Sequence, residues 1–307
     1  MHIINHRKIF YTLSAVLIAV CILAISVLGL RLGIDFVGGS LLSVSFEGEV
    51  PTSLEVVESL KSVGIEDALV QTSGNGFMIR SASMTEKEVA MEALTFGGRF
   101  APVENGFSAI GPVLGKEAIN KSWVSIILVL AGIILFVAFS FRKVSISAGS
   151  GVSRVPSFVY GVIAVLALLH DVIIPTGIFA ILGYFYGFEV DTLFVTALLV
   201  IIGFSVHDTI VVFDRVRENL HLNENKKEHK DFETVVGESI SQTLVRSINT
   251  SLTTMLAVVV LLLVGPESVR EFSIVLLIGL AVGTYSSIFI GSPLLVTFNN
   301  WKSKRLT

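Results

Sequence analysis

Apolar runs of about twenty residues recur along this chain, and that recurrence limits the fold more than any other feature. A helix needs about 20 residues to cross the hydrocarbon core of a bilayer. Backbone in lipid must also satisfy its own hydrogen bonds. The runs are Phe10–Leu30, Trp123–Phe141, Pro156–Leu182, Thr192–Phe213, Leu244–Val264 and Phe272–Val296. Gly291 and Pro293 leave the end of the last one open. With 52% hydrophobic residues, 15% charged and a mean hydropathy of +0.80, a soluble fold is excluded. A polytopic α-helical membrane protein with six transmembrane helices is predicted. Arg7 and Lys8 before the first run also suit a signal peptide. The run is longer than a usual signal core and no A-x-A-like cleavage site follows it, so it is expected to remain as a span. Cys21, the single cysteine, has no internal disulfide partner and reads as a buried apolar residue.

Lys and Arg set the orientation. The N-terminus, 142–155, 214–246 and the C-terminus hold 14 of the 22, whereas 183–191 and 265–271 hold only Arg270. The positive-inside rule places both termini in the cytoplasm. The charged stretch 218–233 reads as a solvated cytoplasmic loop, and Phe232–Leu244 as an amphipathic helix along the membrane. No Walker-type glycine loop stands in the cytoplasmic segments, so nucleotide binding is not expected; no nucleic-acid partner is expected either.

Residues 31–120 are expected to fold outside the cytoplasm. Leu42, Val44 and Phe46 alternate with Ser43 and Ser45, the period of a half-buried strand. Thr52 with Glu55, and Thr85 with Glu88, make capping patterns for two helices. Ala68–Thr72 and Phe77–Arg80 flank a turn at Ser73–Gly76, and a last strand fits Phe107–Ile110. The order β-α-β-β-α-β is that of an α+β, ferredoxin-like unit. It holds no cysteine pair, no histidine and no nucleophile–base spacing, so it is expected to bind rather than catalyse.

The chemistry is expected within the bilayer, where an ionisable side chain costs about 2.5–3.5 kcal/mol on insertion scales. Asp208 lies about 9 Å along the helix from Asp214–Arg215, at 1.5 Å per residue, and is too short to snorkel. His170 and Asp171 fall near mid-membrane. Pro175, four residues on, frees a backbone carbonyl near Asp171. Interhelical hydrogen bonding and a functional acid are equally good readings of Asp171. Both His170 and His207 are expected to point about 100° away from their neighbouring aspartates. They read as packing or lining residues, not metal ligands. Arg246, Asn249, Thr250, Thr253 and Ala257 share one face of the fifth run. Snorkelling to the headgroups is the plainer reading of Arg246. An Asp208–Arg246 pair is the sharper one, because it would offset the desolvation of both groups and make Asp208 a proton switch. Gly279 and Gly283, with Ser286 and Ser287 a turn later, form a helix-contact face.

"GIDFVGG" (Gly33–Gly39, with Asp35, Phe36 and Gly38) and "IGPVLGKE" (Ile110–Glu117, with Gly111, Pro112 and Gly115) resemble the two motifs shared by the SecD/SecF family of the bacterial Sec protein-export machinery. "FSVHDTIVVFDRVREN" (Phe204–Asn219) and "RSINTSLTT" (Arg246–Thr254) resemble the fourth- and fifth-span motifs of its SecF branch. The resemblance implies an RND-type membrane fold and a SecD partner supplying six further spans. It also implies binding to the SecYEG channel, often with YajC, and use of the proton-motive force to help draw unfolded polypeptide across the cytoplasmic membrane. It assigns proton coupling to Asp208, with Arg246 as its functional partner. One residue departs from the pattern: His207 stands where the family usually has Asn. Since His titrates near neutrality, it either joins the relay or replaces the amide as a hydrogen-bonder; the second is expected. No cofactor, metal or enzymatic activity is expected. An RND-type exporter half, a purely structural stabiliser and an intramembrane hydrolase are the alternatives. The expected divisions are 1–30, the external domain 31–120, the bundle 121–301 and a tail 302–307.

Overall fold

The computed structural model describes residues 2–82, 84, 87–140, 155–226 and 230–304. After a short turn of helix α1 (His2–Asn5), α2 (Arg7–Leu28) is the first helix long and apolar enough to cross a membrane. The others are α6 (Pro112–Ser140), α7 (Ser157–Tyr186), α8 (Thr192–Lys226), α9 (Phe232–Val264), and α10 (Arg270–Ser286) continued through a π-helical stretch, Ser287–Gly291, into α11 (Ser292–Lys304). Among the described residues this gives six candidate spans. Half or more of the apolar windows of α7, α8 and the last span are buried, against none of α6's.

Two compact units divide the chain: one of Met1–Gly29, Ile126–Leu182 and Leu193–Thr307, the other of Leu30–Ser125 and Gly183–Thr192. In the second, a one-turn helix α3 (Ile34–Val37) precedes β1 (Gly39–Phe46), α4 (Ser53–Ser62), β2 (Leu69–Ser73), β3 (Gly76–Ser81), α5 (Lys87–Leu94) and β4 (Pro102–Ile110). The strands form one antiparallel sheet in the order β2-β3-β1-β4. Strict alternation puts Leu42, Val44 and Phe46 of β1 into a core with Val56 and Leu60 of α4 and Ile79 of β3. In register, Leu42 sits opposite Ile79 on one side and Phe107 on the other. The capping box opening α4 is complete. Thr52 Oγ1 accepts from the Glu55 backbone at 3.3 Å, and Glu55 Oε2 accepts from the Thr52 backbone at 2.7 Å. Thr85, of the second capping pattern, lies outside the described residues.

The reading of 218–233 as a loop is corrected. Helix α8 runs on to Lys226 and α9 already begins at Phe232. Arg215–Glu218 and Asp214–Arg217, each three apart, are ion pairs on one helical face. Phe232, Val236 and Ile240 bury against Val212, Phe213 and Val216. Phe232–Leu244 is therefore the packed beginning of the fifth span, helical as expected but continuous with α9.

Candidate intramembrane acid site

Small residues bring the polar groups together. A Cβ on Gly279 would fall 2.1 Å from Ile201 Cδ1, and one on Gly283 3.1 Å from Ser205 Cβ, so α10 lies flat against α8 through the expected glycine face. That approach places Ser286 beside Asp171 of α7.

Asp171 is fully buried and accepts three hydrogen bonds. Ser286 Oγ donates at 2.7 Å, Ser205 Oγ of α8 makes a still closer contact, and His170 Nδ1 lies 2.9 Å from Oδ1. The other ring nitrogen of His170 is 3.2 Å from Ser14 Oγ of α2, which reaches Tyr285 Oη at 3.3 Å. The Tyr285 and His170 rings stack with centroids 6.1 Å apart. One carboxyl thus ties α2, α7, α8 and α10. His170 does not turn away from Asp171 as expected: the 100° step separates the Cα–Cβ directions, but the ring is long enough to fold back onto its neighbour. Nor does the carbonyl freed by Pro175 serve the Asp171 carboxyl, whose partners are the side chains of Ser205, Ser286 and His170.

Asp208, on α8 one turn beyond Ser205, is also buried, at 2% exposure. Its environment is the opposite. Oδ2 has no hydrogen-bond partner among the described residues, and neither has the buried Ser247 Oγ of α9. Ser247 is within electrostatic reach of the carboxyl without completing a bond of normal geometry. Next to Asp208, Thr209 Oγ1 is 3.0 Å from Ser287 Oγ, where the π-helical stretch begins. Such widened turns break the regular helical ladder and recur at functional sites.

The expected Asp208–Arg246 pair is not formed among the described residues. Ser247 occupies the face of α9 that meets Asp208, and Arg246, one residue earlier, is turned outward and exposed. Asn249, Thr250, Thr253 and Ala257 share that exposed face, so the polar stripe looks out of this chain. His207 is exposed too. Among the described residues, no His/Cys/Asp/Glu group is arranged to hold a metal.

The glycine motifs meet each other. A Cβ on Gly115 would lie 2.5 Å from Phe36 O and 3.2 Å from Gly38 N, so the first turn of α6, opened by Pro112, rests on the backbone of the first motif. Gly111 O accepts from Gly115 N at 3.1 Å. Gly39 has a φ of 128° and would bring a Cβ within 3.0 Å of Ser81 O, two reasons for a residue without a side chain. Gly38 is left-handed too, at 81°, while Phe36 is buried. Gly33 approaches the backbone of Val190, and Asp35 Oδ2 accepts from Thr192.

The model of the C-terminal region of the protein-export membrane proteins SecD and SecF matches residues 99–301, and that of the SecD/SecF GG motif matches residues 23–50. The chain belongs to the SecD/SecF family. Among SecD/SecF relatives, the protein translocase subunit SecF of Thermobaculum terrenum is 42% identical over 97% of this chain and 94% of its own. That of Anaerolinea thermophila is 37% identical over 99% and 96%. SecDF of Bacillus subtilis is 32% identical over 98% of this chain and 38% of its own length. The crystal structure of SecDF from Thermus thermophilus, a translocon-associated membrane protein, superposes with a TM-score of 0.82 at 28% identity. That match covers 98% of this chain and 39% of the SecDF chain, so the chain spans about two fifths of the SecDF proteins it resembles. Family and helices together make this a multi-pass membrane protein of the Sec transport system.

Proposed function

We propose that this chain is the six-span auxiliary subunit of a Sec translocase. It pairs with a SecD subunit and uses the proton-motive force to assist late steps of protein export across the cytoplasmic membrane. Both termini lie in the cytoplasm, residues 31–120 form the ferredoxin-like external domain, 121–301 complete the bundle and 302–307 form the tail. Fusion of the two halves in the SecDF relatives supports the SecD partnership. The family resemblance supports SecYEG, YajC and the unfolded polypeptide as the remaining partners.

The observation that carries the reading is the contrast between two buried carboxyls. Asp171 is saturated by three hydrogen-bonding side chains and acts as a fixed organiser of four helices. Asp208 has a buried oxygen with no donor, in a chain segment where an unpaired charge is costly. A carboxyl so placed is free to change its protonation state as its surroundings shift. Arg246 and the exposed stripe of α9 face the SecD side, where the partner completes the polar path to Asp208. His207, on the outward face, lines that path in place of an amide.

Export in inverted membrane vesicles containing this chain with SecD and the channel tests the reading. Late-stage translocation should slow severalfold when either the proton gradient or this chain is removed, with no further loss when both are. Independent, additive losses would contradict it.

A further inference from the structure

The segment before α8 is held by three separate parts of the sheet-bearing unit. From β2, Gln71 Nε2 donates to Tyr186 O at 3.3 Å; from β3, Arg80 pairs with Glu189 at 3.2 Å, both side chains largely buried. The chain leaving α2 adds a parallel bridge between Leu32 and Val190, with Gly33 N donating to Val190 O at 2.8 Å and Val190 N to Arg31 O at 2.7 Å. Gly187, at a φ of 76°, makes the turn that brings this segment round. The last tie falls on the helix itself. Asp35 Oδ2 accepts from the Thr192 backbone N–H at 3.0 Å and, more closely, from its hydroxyl. Thr192 is the first residue of α8, so its N–H is one of the donors a helix cannot satisfy internally. A carboxylate there also meets the positive end of the helix dipole. From Thr192 the helix continues unbroken to Asp208, a rise of about 24 Å at 1.5 Å per residue.

We propose that Asp35 is a positioning residue for Asp208: by capping α8 from the glycine motif it makes the proton-bearing helix follow the sheet-bearing unit, so that a displacement of that unit is delivered along α8 to the buried carboxyl. Gly115 serves the same linkage by seating α6 against Phe36–Gly38, which fixes the turn that presents Asp35. A single rigid helix suits this task, because its internal hydrogen bonds make it move as a body rather than deform. This inference rests on the reading of Asp208 as the proton-coupling acid.

The test uses the full chain assembled with SecD in proteoliposomes, with proton flux driven by an imposed pH gradient and amide hydrogen exchange followed in the first turn of α8. In Asp35→Ala, exchange there should quicken by about fivefold or more, and flux should fall severalfold while the complex still assembles. Asp35→Asn keeps an oxygen in place to accept from Thr192 and should restore most of both. It also serves if the alanine variant fails to assemble. Quickened exchange with wild-type flux would overturn the proposal, showing a local cap only. Asp35→Asn behaving as badly as Asp35→Ala would overturn it as well. An Asp208→Asn control separates the two failures. If that control abolishes flux while Asp35→Ala leaves it intact, only the linkage is wrong. If the control itself conducts normally, the reading of Asp208 falls and takes the linkage with it.

Discussion

Asp171 and Asp208 lie on adjacent spans, both buried, yet Asp171 accepts from three side chains whereas Oδ2 of Asp208 accepts from none among the described residues. Ser205 links them, donating to Asp171 from the turn of α8 that precedes Asp208. On the proposed function, one carboxyl fixes the helices and the other is left free to respond. This division of labour makes different demands on substitutions at the two positions.

Asp171→Ala removes the acceptor for Ser205 and His170 and leaves Ser286 with only its 3.1 Å bond to Gly283 O. Each buried donor left unpaired costs about 1–3 kcal/mol, so thermal unfolding of the purified chain in detergent should shift strongly downward. Asp171→Asn, which keeps one oxygen acceptor, should lose less. Equal, near-wild-type melting of both would show that the network does not hold the helices.

Arg246→Gln should behave in the reverse way. Its side chain is exposed and makes no pair with Asp208, so stability of the chain alone should change by no more than about 0.5 kcal/mol. Proton flux and late-stage export with SecD present should nevertheless fall severalfold. A large loss of stability without the partner would mean that Arg246 works within this chain.

The difference between Arg246 and Ser247 shows where sequence reasoning stops. Counting residues gives position along a helix axis. It does not give the rotation of a long helix about its axis, and one residue of phase turns Ser247 inward and Arg246 outward. Period-two alternation left no such freedom for Leu42, Val44 and Phe46, because a one-residue slip would expose all three. Thr52 and Glu55 were legible for a related reason: a capping box is local and needs no tertiary contact. The 218–233 stretch was misread because charge reports solvation, not conformation, and a solvated helix extension has the composition of a loop. Ser286 carried only the signal of a helix-contact face; that it and Ser205 serve Asp171 depends on helix packing.

Leu42 is fully buried at the centre of the sheet, paired across to Ile79 and Phe107. Leu42→Ala should cost about 2–5 kcal/mol, read as earlier loss of sheet protection by hydrogen exchange. Protection unchanged from wild type would show that the core in β1 does not stabilise the sheet.

Gly115→Ala places a methyl group 2.5 Å from Phe36 O, against backbone that cannot rotate away. Destabilisation of about 1–3 kcal/mol is expected from such overpacking, whereas Gly111→Ala meets open space and should be mild. The reverse ranking in thermal unfolding would contradict the packing of the two motifs.

Glu55 gives the sheet-bearing unit an acid-side pH dependence. Hydrogen bonds from the Thr52 backbone and hydroxyl hold its carboxyl below the ordinary value of 4.5. A depressed carboxylate contributes stability above its unfolded value and loses it as pH falls through the folded one. Melting temperatures measured downward from pH 6 should therefore fall less steeply in Glu55→Gln than in the wild type. Glu189 works with the opposite sign. Burial pushes its carboxyl up despite Arg80 and Arg31, so its contribution declines as pH rises from the unfolded value through the folded one.

Proton uptake by Asp208 is tested most directly by measuring flux in proteoliposomes holding this chain with SecD, comparing wild type with Asp208→Asn and confirming assembly of both by co-purification. The expected result is an intact complex whose proton flux falls by about tenfold or more. An intact complex that conducts protons at the wild-type rate would contradict the assignment of Asp208 as the coupling acid.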